Sequence, residues 1–122
     1  MKNKKVLVTG AGTGIGLACV KKFLNNQWDV VAHYHHSIED LRKLEKQFSK
    51  NHIIIRKCDF EKEKEVRAFL DFIDSLKLDA LVNNAAIYDL SHQAKDRIKS
   101  IQSVLLVNTI VPTLLAEKVL SR

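Results

Sequence analysis

All four glycines of the chain fall in one stretch, Thr9-Gly10-Ala11-Gly12-Thr13-Gly14-Ile15-Gly16, between an apolar run and a helix-forming run. Glycine lets a backbone turn sharply and approach a phosphate closely, while the unbonded N–H groups of a following helix supply donors and a positive dipole end. The predicted chemistry is the cradling of a pyrophosphate; the plainer alternative is a tight turn that binds nothing. A second group is His33-Tyr34-His35-His36-Ser37. Strand alternation puts His33 and His35 on one face, but no third ligand accompanies them, so no metal site is expected. The plainer alternative is a set of surface histidines without a task. Asp59 and Phe60, then Asn83-Asn84-Ala85-Ala86, and finally Asn108 complete the polar and small residues that stand at segment ends.

These residues need elements to hold them, and apolar periodicity supplies the elements. Val6 to Thr9 reads as a strand, followed by a helix from about Ile15 to Asn25 with Ala18, Phe23 and Leu24 turned inward. Val30 to Tyr34 is a second strand. Ser37 is expected to cap a second helix, with Asp40 as reciprocal partner and Ile38, Leu41, Leu44 and Phe48 at helical spacing. His52 to Arg56 reads as a third strand, and the helix after Asp59 opens on Glu61, Glu63 and Glu65, which suit its positive end. Its inward stripe is Val66, Phe69, Leu70 and Ile73. Leu78 to Val82 is the fourth strand and Asn83 to Leu90 a loop; the rest is helical nearly to Arg122, with a break near Asn108 to Pro112. This alternation predicts an α/β domain: a three-layer, Rossmann-like, four-stranded parallel sheet in the order 3-2-1-4, with helices on both faces. Ligands bind beyond the carboxyl ends of such strands, at the switch point between the first and fourth, where every group named above lies.

With 122 residues, 46% of them hydrophobic, the chain suits a single domain with a real core. The net charge of +6 is spread over helical patterns that also carry acids or amides, so a solvated surface is expected rather than nucleic-acid binding. No run approaches the roughly 20 apolar residues of a membrane span, and the start leads straight into a strand, so neither membrane nor secretion is expected and the cytoplasm follows. Cys19 and Cys58 have no ligand or CxxC spacing and read as reduced and structural.

TGAGTGIG resembles the TGxxxGxG fingerprint of short-chain dehydrogenases/reductases, with Gly10, Gly14 and Gly16 on its glycines. Asp79-Ala80-Leu81-Val82-Asn83-Asn84-Ala85-Ala86 is similar to that family's DxLVNNAG, departing only at Ala86. Asp59 stands where the family's aspartate meets the adenine amino group, and Asn108 where its active-site asparagine stands. The resemblance spans the whole chain and implies a nicotinamide dinucleotide held by Thr9, Gly10, Gly12, Thr13, Gly14, Ile15, Gly16, Tyr34, His36, Ser37, Asp59, Phe60, Asn84, Ala85 and Ala86. Asn83 is expected to tie neighbouring strands together. At the end of the second strand, Tyr34 occupies the place of the acid that would favour NAD(H). The segment His33 to Ser37 is similar to the HYxRS of NADP-dependent pteridine reductases, with His36 for arginine, so NADP(H) is favoured over NAD(H).

The family's serine, tyrosine and lysine, the last two spaced YxxxK, would all lie beyond Asn108, and the sequence stops fourteen residues after it. Tyr34 is followed four places on by Ile38 and Tyr88 by His92, so no displaced YxxxK exists. Tyr88 is expected to pack within its loop. The expectation is a truncated short-chain dehydrogenase/reductase, inactive alone, with Asn108 as the only catalytic position of the family present. Alternatives are a non-enzymatic nucleotide-binding or redox-sensing module, or a structural remnant. Leu78, Leu81 and Val82 would lie on a bare sheet edge, which predicts a homo-oligomer or a complementing second half as partner.

Overall fold

The computed structural model describes residues 2–88 and 95–121. Its elements follow in the order β1 (Lys5–Val8), α1 (Gly14–Asn25), β2 (Asp29–Tyr34), α2 (Glu39–Phe48), β3 (Ile53–Lys57), α3 (Glu63–Asp74), β4 (Ala80–Val82), α4 (Arg97–Leu105), a π-helical turn (Leu106–Ile110) and α5 (Val111–Leu120). The strands form one parallel sheet in the order β3-β2-β1-β4, as expected. Val8 pairs with both Ala32 and Val82, so β1 and β4 end level at the glycine turn while β2 runs on to Tyr34.

Two apolar clusters sandwich the sheet, because β1 and β2 are apolar on both faces. Val6, Val8, Val30 and Ala32 face Leu17, Val20 and Leu24 of α1 and Leu41 and Leu44 of α2. Leu7 and Val31 face Val66, Phe69 and Ile73 of α3 and Val111 and Leu115 of α5. Each fully buried aliphatic side chain contributes roughly 1.5–3 kcal/mol relative to exposure, so these two strands anchor the site above them.

Several local expectations change in three dimensions. Ala18 faces solvent, and Leu17 and Val20 complete the inward stripe of α1. Ser37 does not cap α2: the helix begins at Glu39, with Ile38 at the cap position and no side-chain cap bond. The Ser37 carbonyl is instead packed against Gly12, where any Cβ would overlap it. Leu78 is buried in the core rather than bare, while β4 itself is half-buried and has no strand on its outer side among the described residues.

The expected break at Asn108 to Pro112 is a change of helical pitch. The Val111 N–H bonds to the Leu106 carbonyl, five residues back, and Pro112, which has no N–H to give, follows directly at the start of α5. The resulting run Arg97–Leu120 is 24 residues long with a mean hydropathy of 1.5 in its most apolar stretch, enough by length and composition to cross a membrane. The sequence shows no unbroken apolar run there because Asn108, Thr109, Thr113, Glu117 and Lys118 interrupt it. Val107, Val111 and Leu115 of this run are buried in the core. Asp89 and Leu90, the last positions of the expected loop, and Arg122 lie outside the described residues.

Candidate functional site

A cleft of about 520 Å³ opens at the carboxyl ends of the strands. Its floor is the glycine turn. Gly10 and Gly14 have φ of +62° and +58°, backbone values that side-chain-bearing residues reach only at a cost of roughly 1–2 kcal/mol. Gly14 opens α1, and Thr13 stands at the N-cap without a side-chain cap bond, so the first-turn N–H groups have no side-chain acceptor and the positive end of α1 faces the cleft.

Thr9 joins the turn to the end of β4. Its buried hydroxyl accepts the N–H groups of Asn84 and Ala85, both at 3.0 Å, and donates toward the Val82 carbonyl at 3.5 Å. A hydroxyl has two lone pairs and one proton, and all three are used. The Asn84 amide donates to the Gly10 carbonyl at 3.0 Å. A Cβ on Gly10 would lie 2.9 Å from Ala85 Cα, and one on Gly16 would overlap the Gly10 carbonyl oxygen, so the glycines there permit close approach as well as turning. Asn83 does not tie strands: its amide donates to the Pro112 carbonyl at 3.2 Å and fastens β4 to α5, while Asn84 does the work between the strand ends.

Gly10, Gly12, Thr13, Gly14, Ile15, Tyr34, His36, Ser37, Asp59, Phe60, Asn84, Ala85 and Ala86 all line the cleft. Ile15 is 76% exposed at its mouth, an unusual placement for isoleucine. Thr9 and Gly16 are buried beneath the turn and Asn108 is exposed beside Ile87, and none of the three lines the cleft. Asn108 is occupied with Ile87, whose N–H it accepts at 2.8 Å and whose carbonyl it donates to at 2.6 Å. Tyr88 is exposed rather than packed. Asp59 accepts the Glu61 N–H at 3.0 Å with one oxygen and faces His35 Nε2 at 3.4 Å with the other. The rings of His35 and His36 lie against each other, 3.7 Å apart at their centres.

His33 is the residue that sequence reasoning missed. It is buried, not a surface histidine, and its ring lies 3.9 Å from Phe60 in parallel stacking. Burial pushes its pKa down to about 4, with the neighbouring His35 adding to that and the bond to the Cys58 backbone opposing it. Cys58 also lines the cleft, but burial, and then Glu65 and Asp59, push its thiol up to about 12, so it is an inert side chain at neutral pH. Among the described residues no three histidine, cysteine or acidic side chains converge on a metal position.

The family model for short chain dehydrogenases matches residues 4–122. The chain belongs to this family. An uncharacterized oxidoreductase of Staphylococcus saprophyticus is 29% identical to this chain over 99 residues, covering 80% of this chain and 40% of the relative. NADPH-bound carbonyl reductase from chicken fatty liver superposes with a TM-score of 0.73 at 27% identity, covering 98% of this chain and 51% of that one. 4-Hydroxyisoleucine dehydrogenase complexed with NADH superposes with a TM-score of 0.79 at 26% identity, over 98% and 49% of the two chains. The chain thus spans between 40% and 51% of the length of these three proteins.

Proposed function

We propose that this chain is the cofactor-binding half of a short-chain dehydrogenase/reductase and that its cleft holds NADP(H) in preference to NAD(H). The observation that carries the reading is the turn with two left-handed glycines, leading into an uncapped helix N-terminus at the floor of a cleft beyond the parallel strands. A pyrophosphate fits there by geometry and by charge. The relatives bound to NADPH and to NADH support the class of ligand. The preference for NADP(H) rests on Tyr34, His36 and Ser37 at the end of β2, where no acid opposes a second phosphate.

When bound, the nicotinamide supplies hydride chemistry. The residues of this chain would hold and orient it: the first turn of α1 would take the pyrophosphate, Asp59 and Phe60 the adenine end, and Ala85 and Ala86 the ribose. Within these 122 residues neither tyrosine is followed by lysine four places on, so proton transfer to a substrate needs groups from further polypeptide. The outer edge of β4 and the exposed Ile98, Ile101, Leu105 and Ile110 fit association with a second copy or a complementing half. Light scattering at micromolar concentration should then give more than a monomer mass. Two unpaired cysteines suit a reducing compartment such as the cytoplasm.

Calorimetric titration with NADPH and with NADH tests the reading, with Gly14→Asp as the blocked control. Aspartate tolerates the positive φ of position 14 but places a carboxylate where the phosphates belong. Saturable binding that the variant abolishes supports the cradle, and tighter NADPH supports His36 and Ser37. Absence of binding to either cofactor refutes the reading and leaves a fold without its ligand.

A further inference from the structure

His33 joins two parts of the cleft that no other described side chain connects. Its Nδ1 lies 3.0 Å from the Gly10 backbone nitrogen and its Nε2 lies 2.8 Å from the Cys58 carbonyl oxygen. The Gly10 N–H can only donate and the Cys58 carbonyl can only accept, so the ring carries its single proton on Nε2. The His33 carbonyl also takes the Ala11 N–H at 2.7 Å, which gives two successive N–H groups of the glycine turn to one residue.

Each bond has a consequence for the ligand site. Gly10 is held from both ends, its N–H by His33 and its carbonyl by Asn84, so the left-handed backbone at this position has one orientation and the following N–H groups are aimed by it. The Cys58 carbonyl immediately precedes Asp59 and Phe60 at the other end of the cleft, and Phe60 is stacked on the same imidazole.

We infer that His33, as the Nε2–H tautomer, is the positioning residue that couples the pyrophosphate end of the cleft to its adenine end. The inference rests on the reading that the cleft binds a nicotinamide dinucleotide. No other natural side chain has a flat ring with an acceptor and a donor in the 1,3 relation that these two backbone groups require. His33 also lines the cleft, but both of its ring nitrogens are taken by backbone groups, so it acts through Gly10 on one side and through Cys58 and Phe60 on the other.

Two conservative variants separate the arms. His33→Asn leaves an amide oxygen near Nδ1 for the Gly10 N–H but cannot reach Cys58; His33→Gln leaves an amide nitrogen near Nε2 for Cys58 but releases Gly10. Calorimetry of the full chain with NADPH and with AMP reads the outcome. The Gln variant should keep AMP affinity within about twofold and lose about tenfold for NADPH, whereas the Asn variant should lose about tenfold for both, the scale of one lost hydrogen bond. Equal affinities for the two variants and the wild type overturn the proposal.

A measurement on the unaltered chain keeps the test independent of whether the variants fold. Nitrogen NMR should show an unprotonated Nδ1, a protonated Nε2, and a scalar coupling between Gly10 N and His33 Nδ1 across the N–H···N bond. A protonated Nδ1 or no coupling overturns the clasp. A wild-type chain that binds neither ligand while retaining the coupling refutes the cofactor reading and removes His33 from that role, so the two failures are distinguishable.

Discussion

The Asn108 side chain closes on both backbone groups of Ile87, accepting its N–H at 2.8 Å and donating to its carbonyl at 2.6 Å. Two residues from distant parts of the chain are thereby locked, the π-helical turn on one side and the segment that follows Ala85 and Ala86 on the other. In this chain Asn108 is a structural clamp on the rim of the cleft before it is anything else.

Asn108→Ala should therefore destabilise the fold by about 1–2 kcal/mol, the scale of two partly solvated hydrogen bonds. Amide exchange at Ile87 should accelerate with it. Asn108→Asp keeps the acceptor for the Ile87 N–H and loses the donor, so exchange at Ile87 should remain slow while stability still falls. Unchanged exchange in the Ala variant would remove the clamp from the account.

Gly14 and Gly16 should respond differently to alanine. Gly14 has a left-handed backbone but open space around its missing Cβ, so Gly14→Ala should cost only the backbone strain of about 1–2 kcal/mol. In Gly16→Ala the new methyl would overlap the Gly10 carbonyl and press on the Asn84 amide at 2.6 Å, and the turn must shift. The side-chain amide resonances of Asn84 should move in Gly16→Ala and stay in place in Gly14→Ala. Comparable shifts in both would contradict the packing described.

Stability should fall in acid through His33. The imidazole has a pKa of about 4 in the folded chain against 6.5 when free, so its contribution is complete above about pH 6.5 and is lost as the pH falls toward 4. In that window the unfolded chain takes up a proton that the folded one refuses, which amounts to about 3 kcal/mol over the whole range. Besides burial, the ring feels the Cys58 backbone carbonyl and, as a neighbouring titratable group, His35. Urea midpoints for the wild type and His33→Asn at several pH values isolate the effect from that of the carboxylates. Parallel slopes for the two would exclude His33 as the source.

Ser49 ends α2 with φ of +76° and ψ of 156°, a region occupied almost only by glycine. Ser49→Gly should stabilise the chain by about 1 kcal/mol, partly offset by the greater freedom of glycine in the unfolded state. Thermal unfolding measures it. A lower midpoint would mean that the bond from the Asn51 N–H to the Ser49 hydroxyl, at 3.3 Å, outweighs the strain.

The order of the strands and the position of the cleft were legible in the linear chain, because both follow from patterns that need no partner. Apolar runs of strand length alternating with helical stripes allow few topologies, and glycines between the first strand and the first helix have few uses. Thr9 and Gly16 were legible as part of the glycine stretch, yet the reason for each was not. Thr9 is needed as a double acceptor for Asn84 and Ala85, and Gly16 for clearance under Gly10 and beside the Asn84 amide, and the contacts with Asn84 and Ala85 cross between segments far apart in sequence.

His33 shows the same division most sharply. Alternation placed it on a strand beside two other histidines, and nothing local distinguishes a buried ring with two backbone partners from an exposed one. Its burial, its tautomer and its stacking on Phe60 arise only when β2 lies between β1 and β3, with the glycine turn above it. By itself, then, the sequence determined the sheet, the glycine turn and the class of ligand that such a turn suits, because periodicity and backbone freedom are properties of short segments. Only the tertiary structure decided which polar groups line the cleft and which are tied up around it, because hydrogen-bond partners and burial depend on segments that meet only after folding.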